Sequence, residues 1–211
     1  LYALLENPQE KPEIRQLAWT VLLKRCFVDP AAGSNSLLQF ADRFKDEPER
    51  RIDILKILIG RRKAAGDMQT LAVVQQDIGE DDMKLAAVAD KADDITRAIS
   101  YAQEADSYFQ PALQYYRSKS PDDQDQFTSL LLEQRMDALL MSRQYAKAAD
   151  FAADAISKNP GNQDSMGRKI RDEVDRLRNR GRVFFMGQAG NIGTVYLERG
   201  DWKFLQIGET R

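Results

Sequence analysis

Histidine is absent from all 211 residues, and cysteine occurs once. The first absence removes the Ser-His and Cys-His pairs of nucleophilic catalysis and the commonest ligand of zinc and iron sites. The second leaves Cys26 without an internal disulfide partner, so no oxidising compartment is implied. Together with the lack of a visible signal peptide, this points to the cytoplasm. Cys26 falls in the apolar helical run Trp19–Phe27 and reads as a buried structural thiol. Long hydrophobic runs are missing too. The stretch around Ile57-Leu58-Ile59 is broken by Asp53, Lys56 and Arg61, far short of the roughly 20 apolar residues of a membrane span. An excess of one charge sign is also lacking, with 31 basic and 33 acidic residues for a net charge of −2. At 43 % hydrophobic and 30 % charged residues, the composition is that of an ordinary folded protein. No cofactor or metal site is expected.

The seven prolines act as punctuation. Ala3-Leu4-Leu5-Glu6-Asn7-Pro8 and Ala155-Ile156-Ser157-Lys158-Asn159-Pro160 share one design, an apolar-faced helix tail running into Asn-Pro. Proline has no N–H for the helical ladder and drives the preceding residue out of the α region. Lys11-Pro12-Glu13 recurs 36 residues later as Glu47-Pro48-Glu49, and Pro121-Asp122-Asp123 follows after about two more periods. Proline there suits the first helical turn, with acid beside it. A repeat of this length implies stacked helical hairpins. The chain opens at Leu1 inside such a helix, so residues 1–7 are expected to close a repeat that begins upstream.

The 3-and-4 spacing of apolar residues places a helix from Pro12 to about Phe27, burying Ile14, Leu17, Ala18, Val21, Leu22 and Arg25. After a turn at Pro30–Gly33, Ser34 or Asn35 caps a partner carrying Leu37, Leu38, Ala41 and Phe44. The next pair starts at Pro48 with Ile52, Leu55, Leu58 and Ile59, and turns at Ala65-Gly66-Asp67. Its second helix carries Leu71, Val74 and Ile78, then stops at Gly79-Glu80-Asp81-Asp82. A longer helix from about Met83 aligns Leu85, Val88, Ile95, Ile99 and Ala102. It ends against a short helix holding Phe109, Ala112, Leu113 and Tyr116, with Pro111 in the first turn or at a kink. A fourth pair from Pro121 carries Leu130, Leu131, Ala138, Leu139 and Met141, breaks at Ser142-Arg143-Gln144, and continues with Tyr145, Ala148, Ala152 and Ala155. A charged helix over 163–180 has the narrow stripe Met166, Ile170, Val174 and Leu177, as a terminal cap requires. After Gly181, three β-branched and aromatic segments separated by glycine turns predict antiparallel strands over 182–207.

At the fourth pair the chain resembles tetratricopeptide repeats. Tyr145, Ala148, Ala152, Ala155 and Pro160 fill that family's aromatic, alanine, small, alanine and proline places. Phe109, Ala112 and Tyr116 repeat the frame 36 residues earlier, and Ala3 to Pro8 matches the closing part of a third copy. The Trp-Leu-Gly signature of the family's first helix has no counterpart in 129–141, nor do its peptide-clamping residues. The resemblance implies repeat-packing roles for Ala3, Pro8, Phe109, Ala112, Tyr116, Tyr145, Ala148, Ala152, Ala155 and Pro160. It also implies protein–protein interaction through a concave face lined by first helices. The expected fold is therefore mainly α, a right-handed α-solenoid of antiparallel helix pairs over 1–180, with a small three-stranded β-meander over 181–211.

The leading expectation for function is a non-catalytic scaffold that binds a protein or peptide in the solenoid groove, or at an open edge of the C-terminal sheet. The alternative is nucleic-acid or polyanion binding through Arg168, Lys169, Arg171, Arg176, Arg178, Arg180 and Arg182. Against it stand Asp172, Glu173 and Asp175, interleaved to pair with these bases on a solvated face. An enzyme, or an accessory module of one with its chemistry on residues outside this chain, is the third class. Gly187–Gly193 is followed by a strand rather than the helix a phosphate loop needs, and reads as a strand connection. Arg199-Gly200-Asp201 reads as a turn. The acids Glu80-Asp81-Asp82, Asp90, Asp93 and Asp94 read as an exposed helix face, with Asp90 and Asp94 one turn apart and Lys91 and Arg97 offsetting their charge.

Overall fold

Local punctuation sets most helix boundaries, and the middle of the chain departs from it. The computed structural model describes residues 2–28 and 34–179, and the backbone alone of 183–188, 191–198 and 201–209. The described chain is mainly helical, with α1 (Tyr2–Glu6), α2 (Pro12–Val28), α3 (Ser34–Asp42), α4 (Pro48–Ala65), α5 (Met68–Lys91), α6 (Ile95–Arg117), α7 (Gln126–Met141), α8 (Tyr145–Lys158) and α9 (Gln163–Asn179). A 3-10 turn at Pro160–Asn162 precedes α9. Pro12 and Pro48 open α2 and α4 as read. No strand occurs among residues 2–28 and 34–179. The expected β-meander falls where no side chain is described.

From α3 onward consecutive helices pack on one another, and next-but-one contacts join α2 to α4, α5 to α7 and α7 to α9. One layer therefore holds α5, α7 and α9 side by side, with α4, α6 and α8 packed against it. One apolar cluster centres on Trp19, Phe40 and Phe44, backed by Ile54, Leu55, Leu58 and Ile78. The second gathers Phe109, Leu113, Leu131, Leu132, Met136 and Leu139 with the small residues of α6 and α8.

Four corrections follow. In α2 the buried side is Ala18, Trp19 and Leu22, while Ile14, Leu17 and Val21 are 39 %, 64 % and 44 % exposed and Arg25 is exposed. The indole decides the orientation. It is the largest group on the helix, it packs on Phe44 at 5.0 Å, and its N–H donates to Asp53 at 3.2 Å.

The stop expected at Gly79–Asp82 does not exist, because α5 runs unbroken from Met68 to Lys91. Gly79 is there for close approach. A Cβ at this position would stand 2.4 Å from Cε1 of Phe109, a ring that is fully buried. Gly79→Ala should therefore lose about 1–3 kcal/mol of stability by overpacking. An exposed helix glycine would instead gain up to about 1 kcal/mol, so the sign of the change in a urea titration checks the contact.

The helix expected from Met83 through Ala102 is two helices, and the short one around Phe109 is the second half of α6, with Pro111 in its interior. The turn between α5 and α6 has Asp93 at φ 59°, with Asp93 N–H on Asp90 O (3.1 Å) and Asp94 N–H on Ala89 O (2.9 Å). Arg143 at φ 60° between α7 and α8 and Gly66 at φ 69° between α4 and α5 repeat the same pair of bonds. All three are Schellman endings with a left-handed residue, which glycine adopts without steric cost. Pro121, finally, does not open α7. Asp123 is left-handed (φ 55°) and its carboxylate is gripped by Arg117 Nε (2.8 Å) and Nη2 (2.5 Å). Asp125 then caps α7 through Thr128 N–H at 2.9 Å.

Candidate interaction surface

The continuous α5 carries Val73, Asp77, Glu80, Lys84 and Val88 at 3-and-4 spacing along one stripe. On α7 the corresponding stripe is Phe127, Leu130, Gln134, Asp137 and Met141. The two helices are joined between these stripes. Gln76 Nε2 donates to Gln134 Oε1 and to Glu80 (both 3.2 Å), and Gln134 Nε2 donates to Glu80 at 2.7 Å. Val73 and Leu130 lie one turn before this junction on their helices. They are 41 % and 45 % exposed, Phe127 is 56 % and Val88 is 66 %. Phe127 is held in place by stacking on Tyr116, with ring centroids 5.4 Å apart. Further along the layer, Met83, Ala87, Leu140 and Met141 form the apolar part of a cleft of about 240 Å³ walled by Lys169 and Arg176 of α9.

Buried and half-buried ion pairs tie these helices to one another and to α4. Arg176 Nη1 donates to both oxygens of Asp90 (2.9 and 3.1 Å), and its Nε and Nη2 donate to Glu173 (2.7 and 2.8 Å). Tyr145 OH also donates to Glu173, at 3.3 Å. Burial raises the Glu173 pKa, opposed by Arg176. Lys169 Nζ donates to Asp137 at 2.6 Å. Arg51 of α4 reaches Asp81 (2.8 Å) and Asp77 (3.2 Å), and Lys84 adds a bond to Asp81 at 2.7 Å.

No protein family, curated protein or solved structure matches this chain. What it can do rests on which of its charged and apolar groups are occupied and which stay open.

The exposed acidic face expected from the sequence is corrected by this geometry. Asp81, Asp82 and Asp90 are 0 %, 1 % and 8 % exposed. Asp90 and Asp94 stand on opposite sides of a turn, with Asp94 capping α6 through Arg97 N–H at 3.2 Å. It is Arg176, 86 residues away, that meets Asp90. Asp82 differs from the others in that its Oδ2 is buried with no hydrogen-bond partner. Burial, with Glu104 and Asp81 adding and Lys56 opposing, pushes its pKa up to about 7. Among the described residues no group of three or more His, Cys, Asp or Glu side chains is placed to hold a metal ion.

The seven-residue basic stripe is also revised. Lys169 and Arg176 are half-buried and ion-paired, leaving Arg168 and Arg171 exposed. The side chains of Arg178, Arg180 and Arg182 lie outside the described residues. So do Cys26, the 187–193 segment and Arg199-Gly200-Asp201. Of the repeat-packing residues, Phe109, Ala112, Ala148, Ala152 and Ala155 are buried, Tyr116 and Tyr145 half-buried, and Ala3, Pro8 and Pro160 exposed. At the front of the chain Leu5, not Ala3, enters the core at 3 % exposure. The positional counterpart of Tyr145, Ala148, Ala152 and Ala155 is not the Phe109 frame. It is Ile95, Ala98, Ala102 and Ala105, which follow the same turn at the same spacing, the three alanines buried. No described helix is long and apolar enough to cross a membrane. The α5 stripe runs across Gly79, and a helix end at that glycine hides it in the sequence.

Proposed function

We propose that this protein is a non-catalytic scaffold of tetratricopeptide-like helix pairs, right-handed in its winding, that binds a protein or peptide segment across the α5–α7–α9 layer. The observation that carries this reading is that four large apolar side chains stay exposed on two adjoining helices, Val73 and Val88 on α5 with Phe127 and Leu130 on α7. Large apolar side chains left exposed on neighbouring helices are a usual mark of a docking site. The repeat reading is supported by the shared alanine frame of α6 and α8 and by their common turn. The C-terminal segments belong to the same proposal as a three-stranded edge. What supports this part of the proposal is antiparallel backbone pairing of 183–188 with 191–198 and of 191–198 with 201–209. The polyanion alternative is weakened by the pairing of Lys169 and Arg176.

Val73→Arg combined with Leu130→Arg should reduce capture of a cross-linked cellular partner at least tenfold, as loss of central apolar anchors does. Because both positions are exposed, the melting temperature should stay unchanged. Undiminished capture by the folded double variant would sink the reading.

A further inference from the structure

A second groove lies away from that face, between α4 and α6. Lys56 and Lys63 of α4 form one lip, Tyr108 and Tyr115 of α6 the other, and Met68 and Leu71 of α5 contribute the floor, enclosing about 560 Å³. That volume is within the range of roughly 300–1,000 Å³ typical of ligand clefts.

Charge is the first selecting feature. No acidic residue lines the groove, in a chain whose net charge is −2. The arginines of the same helix are occupied, with Arg50 on Glu47 at 2.7 Å, Arg51 on Asp81 at 2.8 Å and Arg62 on Asp67 at 2.7 Å. Lys56 and Lys63 are exposed, and among the described residues neither is engaged in an ion pair. Lys56 feels the buried carboxyl of Asp82 without bonding to it. Two tyrosine hydroxyls on the facing lip add hydrogen-bond donors. The second feature is the floor. Leu71 is 4 % and Met68 53 % exposed, and a bare polyanion would leave this apolar surface wet. The third is spacing. Seven residues of helix separate the lysines by about 10 Å, a distance that an extended chain covers in about three residues.

We propose that this groove binds an acidic peptide segment in extended form, with one bulky apolar side chain over Met68 and Leu71 and flanking carboxylates on Lys56 and Lys63. The site uses none of the residues of the α5–α7–α9 face and stands or falls separately from it.

Fluorescence anisotropy on the full chain tests this with a labelled heptapeptide, Gly-Asp-Glu-Phe-Asp-Glu-Gly. Saturable binding is expected that weakens at least tenfold in Lys56→Glu/Lys63→Glu, at least tenfold when Phe is replaced by Ser, and steadily as salt rises. Ser107→Trp, at an exposed position lining the same groove, should block binding without reversing any charge, and Val73→Arg/Leu130→Arg should leave it unchanged. Absence of binding, equal binding of a peptide with lysine for each acid, or retention in the double lysine variant would each overturn the proposal. So would a single-stranded oligonucleotide of equal charge that binds more tightly. Loss of peptide binding in Val73→Arg/Leu130→Arg would move the peptide to the other face and overturn this site alone.

Discussion

Asparagine in place of Asp82 is expected to stabilise the folded protein by roughly 4 kcal/mol at pH 8 and by almost nothing near pH 3.5, on the scale of about 1.4 kcal/mol per pKa unit. The sign follows from where the proton is preferred. Burial lifts the folded-state pKa from 3.8 to about 7, so the fold favours the neutral acid. That stability is fully present below the unfolded value. It is lost as pH rises across the window from 3.8 to about 7, because the unfolded chain ionises freely and the buried carboxyl does not. Above 7 the native state must hold a carboxylate whose Oδ2 has no partner, with Asp81 on the same helix and Glu104 on α6 opposing it and only Lys56 of α4 in its favour. The amide keeps the shape and removes the charge. Urea titrations at pH 3.5, 5.5 and 8 should show the two proteins diverging in that order. Parallel curves would mean that water or a rearranged Lys56 already solvates the acid.

Arg176→Ala should cost about 3–5 kcal/mol, the usual penalty for removing one member of a buried ion pair. The loss is not the worth of the attraction. It is the expense of leaving Glu173 and Asp90, 7 % and 8 % exposed, without the guanidinium that made four of their hydrogen bonds. Burial already raises the Glu173 pKa against the pull of Arg176, so without the cation Glu173 holds its proton to higher pH, and the deficit should be largest at pH 8 and narrow near pH 5. Thermal melts at both pH values decide it. A loss below about 1 kcal/mol at pH 8 would class the cluster with exposed pairs.

What the sequence made legible was local. Pro48, Gly66, the break at 142–144 and the Met166–Leu177 stripe are helix signals whose physics acts within a few residues. The misread features depend on distant partners. Gly79 has meaning only beside Phe109, and Asp81, Asp82 and Asp90 look like solvated acids until α4 and α9 arrive with Arg51 and Arg176. Trp19 outweighs a regular aliphatic stripe on α2 because Asp53 supplies an acceptor 34 residues away. The candidate surfaces behave likewise. The Val73–Val88 stripe emerges once α5 is continuous, whereas the Lys56–Lys63 groove requires α6 to lie opposite α4, which no spacing along the chain encodes.

The hairpins differ in length, with α5 and α6 at 24 and 23 residues against 16 and 14 for α7 and α8. At 1.5 Å per residue, α5 outruns α7 by about 12 Å. The end that includes Asp90 is reached by α9 directly, across the shorter helix. Stacked repeats ordinarily couple only to their immediate neighbours and can fray one unit at a time. Here α9 is fastened to the α5–α6 hairpin through Arg176 and Asp90, so α7 and α8 cannot peel away until that clasp opens. The back half of the array should therefore exchange its amide protons as one cooperative unit, and α9, polar though it is, should be among the last of the described helices to let go.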